Sequence, residues 1–369
     1  MNTGRALLLA LVIVLLPRRG SAQLQEGQLF GGVELRTMRF DSLPLLKRLR
    51  QTVIPVGAVI SAGRLTIDVG TSWASTRMDR HDGTSHTVNA FTDTQVRGAV
   101  ALGRDAVVAT LLVNLPTGLS RASPKDYNVI GAVSPSLLDF PVTSYAGGFS
   151  VTSGLAGAVQ SGNWSFGMAG SLRVGSEFTP YADAAGPITY KPGLEGRVRG
   201  GADGIVGQSR LSLGVTYSTF GDDEFGQAGT VRGAYHPGPR WVTEAAFLAP
   251  VGGGTLSLAA WNFRRSPGDT TGVSARNKEN ISGAAATISI PLAPWLAIEP
   301  QAAGRFSHPE VGSARMLGVG TGFRIDLGSR GSFSPVIRFD RGKIEDGAGH
   351  QTDLDGLSFS AFLRITPES

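Results

Sequence analysis

Charged side chains recur at alternate positions within runs of apolar and small residues. Asp68, Arg97, Arg173, Glu195, Arg197, Arg199, Glu244, Glu299, Arg305, Arg324, Asp326, Arg338, Asp340 and Arg364 all take the polar parity of their runs, eight arginines against six acids. Guanidinium and carboxylate groups strung along an enclosed aqueous path would sort solutes by charge, with a mild preference for anionic or polar ones. The same groups would otherwise brace a wall as ion pairs. The best candidate for a constriction is Arg197 and Arg199 together with Arg324/Asp326 and Arg338/Asp340.

Catalytic chemistry finds less support. His81, His86, His236, His308 and His350 all fall in expected loops. His81-Asp82 has no nucleophile motif beside it, and Gly-x-Ser-x-Gly does not occur. Gly252-Gly253-Gly254 lacks the Lys-Ser/Thr of a phosphate loop. Asp222-Asp223-Glu224 is too short a ligand set for Ca²⁺. With no Cys in the chain, disulfides and Cys-ligated zinc are excluded. No enzyme activity, cofactor or metal site is expected.

The elements that must carry the charges are strands. In Leu65–Trp73, Trp164–Val174, Leu211–Ser218, Leu317–Leu327 and Leu357–Ile365, apolar or β-prone residues alternate with Gly, Ala, Ser and occasional charges. That period of two is a strand signature, and no sustained helical period appears. A soluble sandwich would carry many Lys and Glu on its polar face. Here only 17% of residues are charged and 51 of 369 are glycine. A small-residue face with spaced charges suits the interior of a barrel whose apolar face meets lipid.

The first residues read as an export signal. Arg5 precedes an unbroken apolar run from Ala6 to Leu16, Pro17 ends it, and Gly20-Ser21-Ala22 offers a cleavage site before Gln23. Arg18 and Arg19 just before that site are unusual for a signal. Without Arg5, Arg18 and Arg19, 31 Lys and Arg face 29 acids, so no basic stripe for nucleic acid remains. Beyond residue 22 no stretch of 18 apolar residues occurs, so a membrane-embedded chain must be a β-barrel.

Turn lengths set the topology. Short connections fall at Ala62-Gly63, Gly103-Arg104-Asp105, Ser161-Gly162-Asn163, Gly207-Gln208-Ser209, Val251-Gly252-Gly253, Ala293-Pro294 and Gly328-Ser329-Arg330. Longer polar connections lie at 40–51, 79–88, 117–145, 179–190, 220–239, 267–278, 307–312 and 344–353. Alternation of short and long connections is the pattern of outer-membrane barrels. The count is about 16 strands; 14 would follow if 27–39 and one other segment served as plugs or extensions. Thr230–His236 would be one strand too many and reads as part of a loop with hairpin character. Loop 117–145 is the longest and carries an apolar patch, Leu137-Leu138-Asp139-Phe140-Pro141. Leu137, Leu138 and Phe140 are candidates for a constriction if the loop folds inward, or for packing on the rim.

Leu115-Pro116-Thr117-Gly118 at a strand end and Tyr190-Lys191-Pro192-Gly193 opening another resemble a family of outer-membrane barrels. It is the family linked to phenol meta-pathway gene clusters, distantly similar to long-chain fatty-acid channels. The chain departs from it in lacking room for a sizeable N-terminal hatch and in ending Thr366-Pro367-Glu368-Ser369 rather than on an aromatic residue.

The expectation is an all-β transmembrane antiparallel barrel: residues 1–22 a signal peptide, 23–369 the barrel, placed in the outer membrane of a Gram-negative-type envelope. It would pass or take up small molecules. Its partners would be outer-membrane lipid, the barrel-assembly machinery and a small-molecule solute, with no nucleic acid and no assigned oligomeric state. The alternatives are a structural or adhesive barrel with a plugged lumen, and an exported soluble β protein.

Overall fold

The computed structural model describes residues 26–366 except 44, 104–105, 184–185, 228–229, 271–272, 277, 310–311 and 347. The expected signal at 1–22 and the turn residues Arg104 and Asp105 lie outside the described residues.

The wall consists of β1 (Glu26–Phe40), β2 (Arg48–Ala62), β3 (Leu65–Asp79), β4 (Ser85–Phe91), β5 (Thr94–Leu102), β6 (Val107–Leu115), β7 (Ser150–Ser161) and β8 (Trp164–Gly175). It continues through β11 (Glu195–Val206), β12 (Ser209–Phe220), β15 (Arg240–Val251), β16 (Gly254–Arg265), β19 (Glu279–Ala293), β20 (Leu296–Ser307), β21 (Ser313–Asp326), β22 (Gly331–Glu345) and β23 (Gln351–Ile365). Every neighbouring pair is antiparallel. β1 pairs with β2 on one edge and with β23 on the other, so the sheet closes without a free seam there. β4 and β5 are two halves of one wall strand. Both pair with β3, and the register slips by one residue between them, at Thr92-Asp93. Counted so, the barrel has 16 strands, an even number whose ends meet, as a membrane barrel requires. Residues 27–39 belong to the wall and form no plug.

Both ends of the wall chain lie at one end of the barrel, called here the near end. The turns there are tight; Gly63 and Gly207 take φ +59° and +63°, a left-handed geometry that glycine alone adopts without cost. At the far end three expected loops contain strands instead. β9 (Phe178–Asp183), β10 (Gly186–Lys191), β13 (Asp223–Gln227), β14 (Thr230–His236), β17 (Gly268–Thr270) and β18 (Val273–Arg276) form a separate six-stranded sheet. Thr230–His236 is thus a strand, contrary to the loop reading. It stands outside the wall, so the barrel's parity is unaffected.

Register fixes which face looks in. Following cross-strand partners around the closed wall puts Leu155, Met168, Leu172, Val198, Leu317, Val319 and Leu357 on the outer face, all more than half exposed. An exposed apolar belt of this size is what lipid covers. Among the described residues no helix is long and apolar enough to cross a membrane. Of the tryptophans, Trp73, Trp164 and Trp241 face outward, and Trp295 lies in a near-end turn. Trp261 faces the lumen, opposite Glu244 and Gly283.

A plugged lumen as the candidate functional site

The connection from β6 to β7 enters the barrel instead of hanging over its rim. It carries α1 (Pro124–Val133), which starts with a capping box between Ser123 and Asp126 and with Pro at its first turn. A 3₁₀ turn, Ser136–Leu138, follows. This helix is the exception to the helix-free sequence reading. Val129, Val133, Leu137, Leu138, Phe140, Val142 and Tyr145 are buried against Met38, Phe40, Leu49, Val53, Ala74, Met78, Met316 and Leu354 of the wall. Those wall residues all have lumen parity. Each fully buried Leu or Phe contributes about 1.5–3 kcal/mol, so the seam amounts to a small core inside the barrel.

Polar contacts pin the same segment. Gln51 Nε2 donates to the Val142 carbonyl at 2.7 Å, and the Val142 amide donates back to Gln51 Oε1 at 2.9 Å. The hydroxyls of Thr76 and Tyr145 meet. Arg36 Nε donates to the Leu138 carbonyl at 2.7 Å. The ends of the segment converge on one carboxylate. Asp93, at the break between β4 and β5, accepts the Gly118 amide at 2.9 Å and the Gly147 amide at 2.7 Å.

Asp139 is the electrostatic centre. It sits at φ +57°, which costs a non-glycine residue about 1–2 kcal/mol. Arg305 Nη2 lies 2.6 Å from it, Arg338 Nη2 2.7 Å, and Arg36 Nη1 4.0 Å. Arg36 and Arg338 also flank Asp340, at 3.2 and 3.0 Å. Gly318 makes room for that carboxylate, because a Cβ there would collide with Asp340 Oδ1. Above Trp261 the Arg305 guanidinium stacks at 5.8 Å from the ring.

The candidate charges take lumen parity but split into separate groups. Asp68, Arg97, Arg173 and Arg197 line a cavity of about 820 Å³ beside the plug, together with Phe30, Asn114, Tyr145 and Glu195. Within it Arg97 Nε donates to Asp68 at 2.6 Å, and Arg197 Nη2 to Glu195 at 2.7 Å. Arg305, Arg338 and Asp340 gather around Asp139. Arg199 pairs with Glu244 at 2.7 Å. Arg324 lies 3.3 Å from Glu299 and 4.0 Å from Asp326, toward the near end. Arg364 lies there too, with Phe30 and Ser332 as cross-strand neighbours. The expected junction of Arg197/Arg199 with Arg324/Asp326 and Arg338/Asp340 therefore does not form; plug and lumen separate them. Leu137, Leu138 and Phe140 are buried in the plug seam.

Sequence reasoning missed Arg36, Gln51, Thr76 and Tyr145. Arg36 and Gln51 carry a usable signal, as polar residues at lumen parity between Leu35 and Thr37 and between Leu49 and Val53. His86 belongs to β4 rather than a loop, and its Nε2 lies 2.7 Å from Asp126 of α1. Among the described residues no group of three or more His, Asp or Glu is arranged to hold a metal.

The opposite wall is bare. Ala246, Ser257, Ala259 and Ala285 take lumen parity on β15, β16 and β19 and are nonetheless exposed. No plug residue covers them.

No family model and no curated protein matches the chain. Among solved structures, CdiB from Acinetobacter baumannii is similar over 92% of this chain and 60% of its own, at 9% identity and a TM-score of 0.51. A TodX deltaS2S3 mutant monoaromatic hydrocarbon channel is similar over 94% of this chain and 95% of its own, at 9% identity and a TM-score of 0.45. The CymD monoaromatic hydrocarbon channel matches over 94% and 90%, at 9% identity and a TM-score of 0.42. The likeness is one of fold.

Proposed function

We propose that the chain is an outer-membrane channel in which small polar solutes diffuse along the wall of β12 to β20, past a fixed plug. The reading is carried by one observation: lumen-facing Ala246, Ser257, Ala259 and Ala285 are exposed inside a closed barrel. Small side chains leave width, and the exposed Arg199, Glu244 and Arg210 supply a charged track beside it. The cavity beside the plug carries Arg97, Arg173 and Arg197 against Asp68, Asp93 and Glu195, a balanced set that favours polar solutes of either sign. Residues 1–22 act as the export signal, the barrel-assembly machinery inserts the chain, and no enzymatic step is involved.

Single-channel conductance in a planar bilayer tests this. Wild-type protein gives steady steps. Ala259→Trp with Ala285→Trp cuts them several-fold, whereas Ala260→Trp, one residue away on the lipid face, leaves them. Equal conductance for the lumen and lipid variants overturns the proposed path. The depth of the plug seam favours a second reading, a closed structural barrel, which insertion without any conductance would support.

A further inference from the structure

On the β1–β3 side the wall rises above its apolar belt, and there its outer face turns basic. Four successive outward rungs read Val33–Ile54–Trp73, Leu35–Thr52–Ser75, Thr37–Arg50–Arg77 and Arg39–Arg48–Asp79. Such rungs are about 7 Å apart, so the arginines stand two to three rungs beyond the interfacial Trp73. Asp79 accepts Arg48 at 2.8 Å, Arg50 at 3.1 Å and Arg77 at 2.7 Å, one carboxylate among three guanidinium groups. Arg50 faces Arg77 directly across the sheet, and Arg39 faces Arg48. Like charges in direct opposition destabilise a sheet, and the one carboxylate among them, Asp79, is buried and already shared by three guanidinium groups, so pairing within the wall leaves the cluster in positive excess. The Nε of Arg50 is buried without a hydrogen-bond partner. At the corresponding outward positions of β21–β23, Arg315, Arg341 and Lys343 are matched by Glu345, Asp353 and Asp355. On β1–β3, by contrast, Arg39, Arg48, Arg50 and Arg77 stand against Asp79, with Asp355 of β23 beside Arg39.

We propose that this patch binds the phosphates of a phosphorylated lipid headgroup in the leaflet at the far end. The guanidinium forks are suited to phosphate oxygens, and an external anion relieves the opposition of Arg50 and Arg77. The inference rests on the outer-membrane placement above and is independent of passage through the lumen.

Refolded wild-type protein and the Arg50→Gln/Arg77→Gln variant are titrated in detergent with diphosphorylated lipid A, with lipid A stripped of phosphate, and with inorganic phosphate. Retention is read by native mass spectrometry, and folding by heat-modifiable gel mobility. The wild type retains phosphorylated lipid A, the double variant binds it about tenfold or more weakly, and stripped lipid A is not retained. Arg341→Gln/Lys343→Gln, on the balanced side, retains it as the wild type does. Equal retention by the wild type and Arg50→Gln/Arg77→Gln overturns the proposal. So does displacement of the lipid by millimolar inorganic phosphate, which would mark a free-phosphate site. Wild-type conductance is recorded alongside; its absence counts against the channel and leaves the lipid result standing.

Discussion

One hydrogen-bonded rung shows how differently the two walls are built. It runs Ala246–Ala259–Ala285–Ala303–Gly318–Asp340–Gly356–Met38–Leu49–Met78. All ten positions face inward. The first four are alanines, and Ala246, Ala259 and Ala285 are exposed to the lumen while Ala303 is half-buried. At the other end Met38, Leu49 and Met78 are buried under the plug. Backbone geometry is shared, so the side chains, and whether the plug lies over them, decide where the interior is core and where it stays open. The packed wall spends its inward face on cohesion, and the bare wall leaves its own to solvent.

Removing residues 132–143 breaks the contrast outright. It strips the seam from Val133 to Val142, and single-channel conductance is expected to rise. Unchanged conductance would mean that the plug does not narrow the path. Asp139→Ala is the next largest effect. It leaves Arg305 without its carboxylate and Arg36 and Arg338 sharing Asp340 alone, and destabilises the plug by about 3 kcal/mol, read as faster amide exchange across α1 and Leu137–Val142. The contrast sharpens with a matched pair of substitutions. Val53→Ala under the plug costs about 1–2 kcal/mol in urea unfolding, whereas Thr287→Ala on β19 of the bare wall stays within about 0.5 kcal/mol. Equal costs would show that the two inward faces are energetically alike.

The smallest effect concerns the contact of α1 with β4. Burial pushes the Asp126 carboxyl up, but hydrogen bonds from His86 and Ser123 outweigh it and hold the group below the usual carboxylate range. A depressed carboxylate lends stability above its ordinary pKa, and that stability is lost as pH falls through the lowered value. The protection factors of the α1 amides, which take out the intrinsic pH dependence of exchange, are therefore expected to fall on acidification from about pH 5 to about pH 2, and the Asp126→Asn variant loses this dependence.

The wall was legible in the sequence because lipid and water impose opposite demands on successive residues. Leu317–Leu327 alternates without a fault, Leu357–Ile365 with one exception at Phe362, and their charges take one parity. The plug was legible only as an apolar patch. Its helix is short and shows little periodicity, and its partners Met38, Leu49 and Gln51 lie far away in sequence. A tertiary core inside the barrel cannot be read from local alternation. The far-end sheet escaped for another reason. Strands as short as Gly268–Thr270 are too brief to show a period and are defined by neighbours from other loops. The candidate charges were placed on one face by parity alone, but parity carries no height. It could not separate the group around Asp139 from the cavity lined by Arg97 and Arg197.

Asp93 holds both ends of the plug, and the Leu119 amide donates to the Tyr145 carbonyl at 3.2 Å, so the segment leaves and rejoins the wall at nearly one point. Its ends would stay together whatever lay between them. Lengthening such a closed loop costs little entropy, since the penalty grows only with the logarithm of its length. The insert is therefore a cassette. One stopper could be exchanged for another of different length without shifting the register of a single strand.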